Sequence, residues 1–165
     1  MELHKSLNDK IVSREKAQGR IIALHGANKK AVFTNGVFDI LHPGHVDYLC
    51  KARDLGDYLV LGLNTDASVR RLNKAPDRPF NNEHTRALVL AGLACIDAIV
   101  LFDDDTPYEL IKFLQPDVLV KGNDYEIEQI AGHDIVKQNG GEVITVPLVE
   151  GYSTTALVKK IKGAN

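Results

Sequence analysis

The sequence predicts an α/β fold in which five parallel strands form one sheet with helices on both faces. From residue 30 onward, short apolar runs alternate with longer segments of helical periodicity, which is typical of βαβ units. The runs are almost continuously hydrophobic, as expected of strands that are covered by helices on both sides. The predicted strands are 31–34, 58–63, 98–102, 118–121 and 143–146.

The segments between these strands carry the start and stop signals of helices. Pro43 suits the first turn of one helix, and Gly56 stops it. The stretch 126–138 has a weaker helical pattern because Gly132 interrupts it. The other predicted helices are 66–72 capped by Asp66, one from Asn81 or Asn82 to Leu93, one from Thr106-Pro107 to Leu114, and a last one capped by Ser153 with Leu157, Val158 and Ile161 on its apolar side.

Residues 1–29 are expected to form an N-terminal helical extension of a single main domain, which spans residues 30–165. Ser13 is the candidate N-cap of this extension. Its helical periodicity makes Ile21, Ile22 and Leu24 the expected burying positions. The extension is expected to pack either on the sheet or on a partner subunit.

The composition excludes several classes of protein. A net charge of −2 and a pI near 6.3 give no general attraction to nucleic acid or to acidic membranes, so a small phosphorylated ligand is favoured. No apolar run is long enough for a membrane span, and no signal region follows the charged start, which predicts a cytoplasmic protein. Cys50 and Cys95 lie in apolar helical patterns and are expected to be reduced core thiols.

The segment His42-Pro43-Gly44-His45 is the most informative local feature. It follows the first predicted strand and the turn at Gly36, and it opens a helix whose unpaired N–H groups attract anions. The two histidines, three residues apart, project from one face of that helix. A zinc site is the less favoured reading, because no third ligand stands at a predictable spacing. The segment therefore predicts a phosphate site.

Three further segments can contribute to such a site, although each also has an ordinary reading. Residues 151–155 gather hydroxyls at the start of the last helix, as a simple cap would. Residues 121–125 follow the fourth strand at the carboxyl edge of the sheet, as a polar turn would. The basic, proline-stiffened loop 73–79 could close over an anion. The acidic run 103–105 is read as a charged loop rather than as a Mg²⁺ site.

These motifs together resemble the cytidylyltransferase-like nucleotidyltransferases, relatives of the class I aminoacyl-tRNA synthetases. Residues 35–39 match the Gly-x-Phe-Asp segment of the family, 42–45 match His-x-Gly-His, and 151–155 match the Ile-Ser-Ser/Thr-Thr element. The motifs occur in the family's order, and the resemblance covers residues 30–162. Stretches 32–45, 64–72 and 116–125 are most similar to the adenylyltransferases of ADP-heptose synthesis.

The resemblance implies a Rossmann-like fold and a transfer of AMP from ATP to D-glycero-D-manno-heptose 1-phosphate, a step in making lipopolysaccharide precursors. It implies Mg²⁺ held mainly by the nucleotide phosphates, and a homodimer. Because these enzymes are often fused to a sugar kinase that is not among these residues, the chain resembles the stand-alone form. The alternatives are a cytidylyltransferase for another phosphate, such as glycerol 3-phosphate, and a nucleotide sensor without turnover.

The resemblance also implies roles for individual residues, and it implies no protein metal ligands. His42 and His45 would contact the nucleotide phosphates, and Lys74 and Arg86 the reacting phosphates. Leu148 stands where some cytidylyltransferases have arginine, which disfavours the glycerol 3-phosphate alternative. The residues expected to bind the nucleotide are Asn35, Gly36, Val37, Phe38 and Gly44 after the first strand, Gly122, Asp124 and Tyr125 beside the nucleoside, and Ser153, Thr154 and Thr155 at the triphosphate.

Overall fold

A computed structural model describes residues 2–72 and 77–163 and confirms the predicted fold class. Five parallel strands form one sheet in the order β3-β2-β1-β4-β5. Each predicted strand is present, and the largest difference is that β1 continues two residues further, to Gly36. The strands are β1 (Ala31–Gly36), β2 (Tyr58–Asn64), β3 (Ala98–Phe102), β4 (Val118–Gly122) and β5 (Glu142–Val146).

Helices cover both faces of this sheet, so its strands are buried on both sides. On one face the core includes Leu49 and Leu90, and on the other it includes Ile21, Ile111 and Val136. These apolar clusters explain why the strands lack polar alternation. The helices are α1 (Leu3–Asn8), α2 (Arg14–Gly26), α3 (Pro43–Arg53), α4 (Asp66–Arg71), α5 (Glu83–Ala91), α6 (Tyr108–Leu114), α7 (His133–Gln138) and α8 (Thr154–Ile161), with a 3-10 turn at Ile127–Gln129.

Successive strands are added first on one side of β1 and then on the other, so the strand order changes direction between β1 and β4. From β1 the chain first builds outward to β2 and β3, and it then returns to place β4 on the other side of β1. In open parallel sheets, ligands bind at such a switch point, outside the carboxyl ends of the strands. The topology therefore favours a binding site above the ends of β1 and β4.

The N-terminal extension packs on the chain's own sheet. Ser13 caps α2 by accepting a hydrogen bond from the Lys16 N–H, as predicted, and Ile21 is buried. Just before α2, the Val12 N–H donates to the Ile99 carbonyl and the Ile99 N–H donates to the Lys10 carbonyl. This short pairing covers the edge of β3 that faces away from β2.

Several helix details differ from the sequence predictions. Thr65, not Asp66, caps α4, because the Thr65 hydroxyl accepts the Ser68 N–H and Asp66 begins the helix itself. Of the two candidate caps of α5, Asn82 is the one whose side chain accepts the N–H of residue 85. Helix α6 begins at Tyr108, one residue after Pro107.

Three expected core positions are exposed instead. The Ile22 side chain is 62% exposed, because Ile21 occupies the inward direction of α2 and its neighbour points outward. Cys50 is exposed on α3, whereas Cys95 is buried as predicted. Ile161, at the end of α8, is 71% exposed, while Leu157 and Val158 are half-buried. Among the helices of the described ranges, none is long and apolar enough to cross a membrane.

Candidate active site

A cavity of about 670 Å³ opens at the carboxyl edge of the sheet, above the ends of β1 and β4. Its volume falls in the range of small-molecule sites. Three separate parts of the chain form most of its wall: residues 35–45 from the end of β1 into α3, residues 121–125 from the end of β4, and residues 148–155 before and within α8. The fold therefore brings together the three motifs that the sequence analysis singled out.

The turn between β1 and α3 is held in one conformation by tight packing. A side chain at Gly36 would place its Cβ 2.7 Å from the Phe38 ring, so any larger residue would require that ring to move. Phe38 has a φ of 46°, in the left-handed region that non-glycine residues rarely adopt. The buried Asp39 carboxylate accepts the backbone N–H groups of Phe80 and Asn81 at 2.9–3.0 Å. This connection holds the end of the loop before α5 against the cavity.

The two histidines at the start of α3 lie against each other inside the cavity. Their ring centroids are 3.7 Å apart and their planes differ by 20°. The Phe38 ring contacts His45 edge-on, with centroids 5.1 Å apart, and the Tyr152 ring lies on the other side of His42 at 6.3 Å. The stacked pair presents imidazole nitrogens at a helix N-terminus, where anions bind.

The surroundings keep this pair neutral at physiological pH. Burial and the neighbouring His42 lower the pKa of His45 to about 4, and burial also lowers the pKa of His42. The Nδ1 atom of His42 is buried without a hydrogen-bond partner among the described residues. A neutral imidazole carries one N–H, so each ring can donate one hydrogen bond to a phosphate oxygen.

The start of α8 forms the opposite wall of the cavity. The Ser153 hydroxyl caps this helix by accepting the Ala156 N–H at 3.0 Å. Thr154 and Thr155 line the cavity beside it, and Arg78 Nη2 donates to the Thr155 hydroxyl at 3.2 Å. Hydroxyls, free N–H groups and a guanidinium thus meet at one helix N-terminus, a combination that suits a polyphosphate.

The end of β4 forms the third wall. A Cβ at Gly122 would lie 2.5 Å from an oxygen of the Asp124 carboxylate and 3.1 Å from Leu148, so side chains of the cavity wall pack closely against the backbone at this point. The Lys121 ammonium lies 5.7 Å from the centre of the Tyr125 ring and 3.3 Å from the Asn35 carbonyl oxygen, to which it donates. A flat aromatic ring beside a close backbone turn suits a nucleoside.

Most of the predicted site residues line this one cavity. Arg86 does not: it is 2% exposed, beneath the turn that carries Val37. Its guanidinium donates to the carbonyls of Val37 and Asn64 at 2.8 and 2.9 Å and pairs with Asp66 at 2.7 Å. Lys74 lies outside the described residues. The predicted residues on the cavity wall are His42, His45, Asn35, Gly36, Val37, Phe38, Gly44, Gly122, Asp124, Tyr125, Ser153, Thr154 and Thr155.

Three residues of the site were absent from the predicted set. Lys121 and Arg78 line the cavity, and Asp39 holds the end of the loop before α5 against it. Both cations lie in segments that were predicted to contribute to the site, Arg78 as a charge of the basic loop 73–79 and Lys121 within residues 121–125, but no ligand contact was predicted for either side chain. Asp39 is part of the recognised motif, but its two backbone partners are distant in the sequence. In the described part of the chain, no three His, Cys, Asp or Glu side chains gather as a metal site.

Comparisons with known proteins agree with this geometry. A Cytidylyltransferase-like family model matches residues 33–160. A protein of Magnetococcus marinus named "Bifunctional protein HldE" is 54% identical over 93% of this chain, and its namesake from Campylobacter curvus is 56% identical over 94%. The chain spans only 31% and 32% of these two relatives.

Solved structures agree on the fold. A lipopolysaccharide core biosynthesis protein from Thermoplasma volcanium superposes with a TM-score of 0.60 at 26% identity, over 76% of this chain and 99% of that one. A pantoate-beta-alanine ligase from Francisella tularensis also reaches 0.60, over 92% of this chain and 76% of the ligase, and at 14% identity it supports the fold alone. With the family model covering most of the chain and its motifs on one cavity wall, the chain belongs to the cytidylyltransferase-like family.

Proposed function

We propose that this protein transfers AMP from ATP to a sugar 1-phosphate, specifically D-glycero-D-manno-heptose 1-phosphate, and releases pyrophosphate. The observation that carries the proposal is the cavity in which the His42–His45 pair faces the hydroxyl-rich start of α8. That arrangement provides many hydrogen-bond donors to phosphate. Of the three carboxylates on the described wall, Asp39 accepts backbone N–H groups and Asp105 pairs with Arg71. The adenylyl donor and the heptose acceptor are supported by identities of 54% and 56% to relatives named HldE and by the likeness to a lipopolysaccharide core biosynthesis protein.

In this reaction a phosphate oxygen of the sugar attacks the α-phosphorus of ATP in line with the departing pyrophosphate. The attacking oxygen is already an anion at neutral pH, so no strong general base is required. Catalysis then depends on holding two mutually repelling anions together and on stabilising the charge that moves to the leaving group. We assign the nucleotide phosphates to His42 and His45, and the leaving pyrophosphate to α8 with Arg78.

Mg²⁺ fits this scheme as a companion of ATP rather than as a resident metal. Of the acidic residues on the cavity wall, Asp39 already accepts two backbone N–H groups. Asp105 pairs with Arg71 at 2.8 Å, so Asp124 is the remaining carboxylate on the described wall that could reach a hydrated ion. The ion would be held mainly by the nucleotide phosphates and water, as Mg²⁺ often is. When bound, it would neutralise part of the triphosphate charge.

A matrix of substrates tests the proposal. ATP, CTP, GTP and UTP are each combined with heptose 1-phosphate, glycerol 3-phosphate and other sugar phosphates, and pyrophosphate release is measured. We expect the highest kcat/KM for ATP with heptose 1-phosphate. A preference for CTP or glycerol 3-phosphate would overturn the specific assignment, and binding without turnover in every combination would indicate a nucleotide sensor. The His42→Ala/His45→Ala double variant controls for contaminating activity.

Two further expectations accompany this function. The use of ATP fits a cytoplasmic enzyme, which fractionation of cells that produce the protein would test. The family resemblance implies a homodimer, and sedimentation equilibrium would measure the mass in solution directly. A monomer over the whole accessible concentration range would contradict the second expectation without affecting the first.

A further inference from the structure

The proposed reaction requires two phosphate groups side by side, and the cavity provides positive charge at two separate places. Arg78 and Lys121 are the permanently charged cations among the described residues of the wall. Arg78 is held at the α8 wall by its hydrogen bond to Thr155 at 3.2 Å. Lys121 lies instead at the end of β4, 3.3 Å from the carbonyl of Asn35. The two charges therefore serve different parts of the cavity.

Lys121 occupies a crevice where β1 and β4 separate. β1 is in register with β2 from Ala31 to Gly36, but with β4 only at Val32 and Phe33. Beyond Phe33, side-chain hydroxyl groups on the face of the sheet that α3 covers fill the gap between β1 and β4. The hydroxyls of Thr34 and Tyr48 both donate to the Val120 carbonyl, at 3.0 and 3.1 Å. The Asn35 carbonyl is reached by the Lys121 ammonium. A positive charge thus lies at the topological switch point itself.

The alternation of side chains along a strand assigns this charge to one side of the sheet. Thr34 bonds to Tyr48 of α3, so the next residue, Asn35, faces the opposite side. In the same way, Val120 belongs to the core cluster beneath α3, and Lys121 faces away from it. Lys121 and Asn35 therefore lie across the strand ends from the helix that carries His42.

Asn35 supplies an independent sign that a ligand binds here. The Oδ1 atom of its side chain is buried and has no hydrogen-bond partner among the described residues. Leaving a buried acceptor without a donor costs free energy, so such atoms usually receive one from water or a ligand. The hydroxyl groups of a sugar are suitable donors. A cation and an unsatisfied acceptor side by side match a phosphorylated sugar better than they match a triphosphate.

We propose that Lys121 binds the phosphate of the sugar phosphate acceptor and that Asn35 Oδ1 receives a hydroxyl of the same molecule, in place of the nucleotide contact that the resemblance implies for Asn35. This assignment rests on the proposed function. In an in-line transfer, the acceptor oxygen forms its bond to the α-phosphorus on the side opposite the bond that breaks to the bridging oxygen, and the electron pair of that bond leaves with pyrophosphate. With the leaving group at the α8 wall, the acceptor lies on the far side, where Lys121 is.

The test separates acceptor binding from nucleotide binding. Lys121→Met removes the charge and keeps the length of the side chain. A charged hydrogen bond contributes about 1.5–3 kcal/mol, so the KM for the sugar phosphate should rise by at least about tenfold. The Kd for a non-hydrolysable ATP analogue, measured by calorimetry, should stay within about twofold. Lys121→Arg should restore part of the lost acceptor affinity, and Asn35→Asp should also raise the acceptor KM by repelling its phosphate.

Lys112→Met is the matched control, because it makes the same change on the exposed side of α6 and should alter neither constant. Weaker binding of the ATP analogue with an unchanged acceptor KM would overturn the assignment, as would no change in either. If the wild-type protein releases no pyrophosphate with any acceptor, the proposed function fails. The inference then stands or falls on calorimetric binding of inorganic phosphate to the analogue-loaded protein, which Lys121→Met should weaken and Lys112→Met should not.

Discussion

At the scale of single residues, the histidine pair illustrates how a short motif acquires its chemistry from packing. The sequence placed His42 and His45 at a helix start, but their stacking at 3.7 Å comes from the fold, and the low pKa of His45 follows from its burial and from the neighbouring His42. As neutral donors, the two rings can stabilise charge on the phosphates without forming a fixed ion pair with the substrate. Removing one such transition-state donor typically lowers kcat by about 10²–10³-fold.

We therefore expect His42→Ala and His45→Ala each to lower kcat for pyrophosphate release by about 10²-fold or more. His84→Ala is the control, because His84 is an exposed histidine on α5 that does not line the cavity. Steady-state kinetics of the three variants, after circular dichroism has shown each to be folded, gives the comparison. Near-normal turnover in both site variants would remove the histidines from the chemistry.

The low pKa of His45 also predicts how stability depends on pH. The imidazole has a pKa near 6.5 in the unfolded chain and about 4 in the folded protein, so between these values the unfolded chain binds more protons. The free energy of unfolding should therefore fall as the pH is lowered from about 6.5 to 4. Urea denaturation of the nucleotide-free protein at several pH values measures this slope. His45→Gln should reduce the slope, and an unchanged slope would assign it to other groups.

Arg86 shows where a residue's environment could not be read from the sequence. The resemblance assigned it to the reacting phosphates, yet its partners are carbonyls of residues 37, 64 and 81, which only the fold brings together. We now propose that Arg86 is a positioning residue that holds the turn after β1 from below. A direct contact between Arg86 and the reacting phosphates stays a prediction, because Arg86 does not line the cavity.

Substituting Arg86 should therefore affect folding as well as activity. Arg86→Met leaves three carbonyls and the partly buried Asp66 without this donor, so the loss should lie near the lower end of the about 3–5 kcal/mol that breaking a buried ion pair costs. Urea denaturation measures the loss, and kcat/KM is measured on the folded fraction. Arg70→Met, an exposed arginine on α4, is the control. Undiminished stability with a large loss in kcat/KM would favour direct contact with phosphate after all.

At the scale of elements, the strands were easier to predict than the helix ends. Continuous apolar runs locate strands because both faces of the sheet are covered, and all five were found. Helix caps depend on one hydrogen bond, and neighbouring polar residues compete for it. Thr65 and Asp66 are both good caps by residue type, and the backbone conformation decided for Thr65.

The Ser153 cap of α8 is expected to act both on helix stability and on ATP binding, and the two effects can be measured separately. Ser153→Ala removes the bond to the Ala156 N–H and should cost about 1 kcal/mol of stability, while also disturbing the donors that face the triphosphate. We expect the KM for ATP to rise several-fold. Ser13→Ala removes an equivalent cap from α2, away from the cavity, and should cost similar stability with no change in KM. Equal kinetic effects of the two would contradict a role for this helix start in ATP binding.

At the scale of the whole molecule, the strand order 3-2-1-4-5 is what makes one site from three distant motifs. The carboxyl ends of β1 and β4, at residues 36 and 122, border the same cavity although they are far apart in sequence, and the segment before α8 returns to the same edge. Residues 121–125 were predicted to border the site, but the proximity of Lys121 to Asn35 was not, because no local pattern encodes it. Each motif could be recognised from the sequence alone, but the position of Lys121 between them follows only from the order of the strands in the sheet.

The same strand order leaves β3 at an edge of the sheet, and residues 10–12 cover that edge. Val12→Pro removes the N–H that donates to the Ile99 carbonyl, whereas Val12→Ala keeps it and only reduces packing. We expect the proline variant to be less stable than the alanine variant by about 1–3 kcal/mol, because a carbonyl loses its donor. It should also associate more readily, since an uncovered edge strand pairs with other chains. Urea denaturation and light scattering measure the two effects.

Because the cavity lies at the carboxyl ends of the strands, kcat/KM per folded molecule should be equal in the two variants. A selective loss in the proline variant would show that the extension also supports the site.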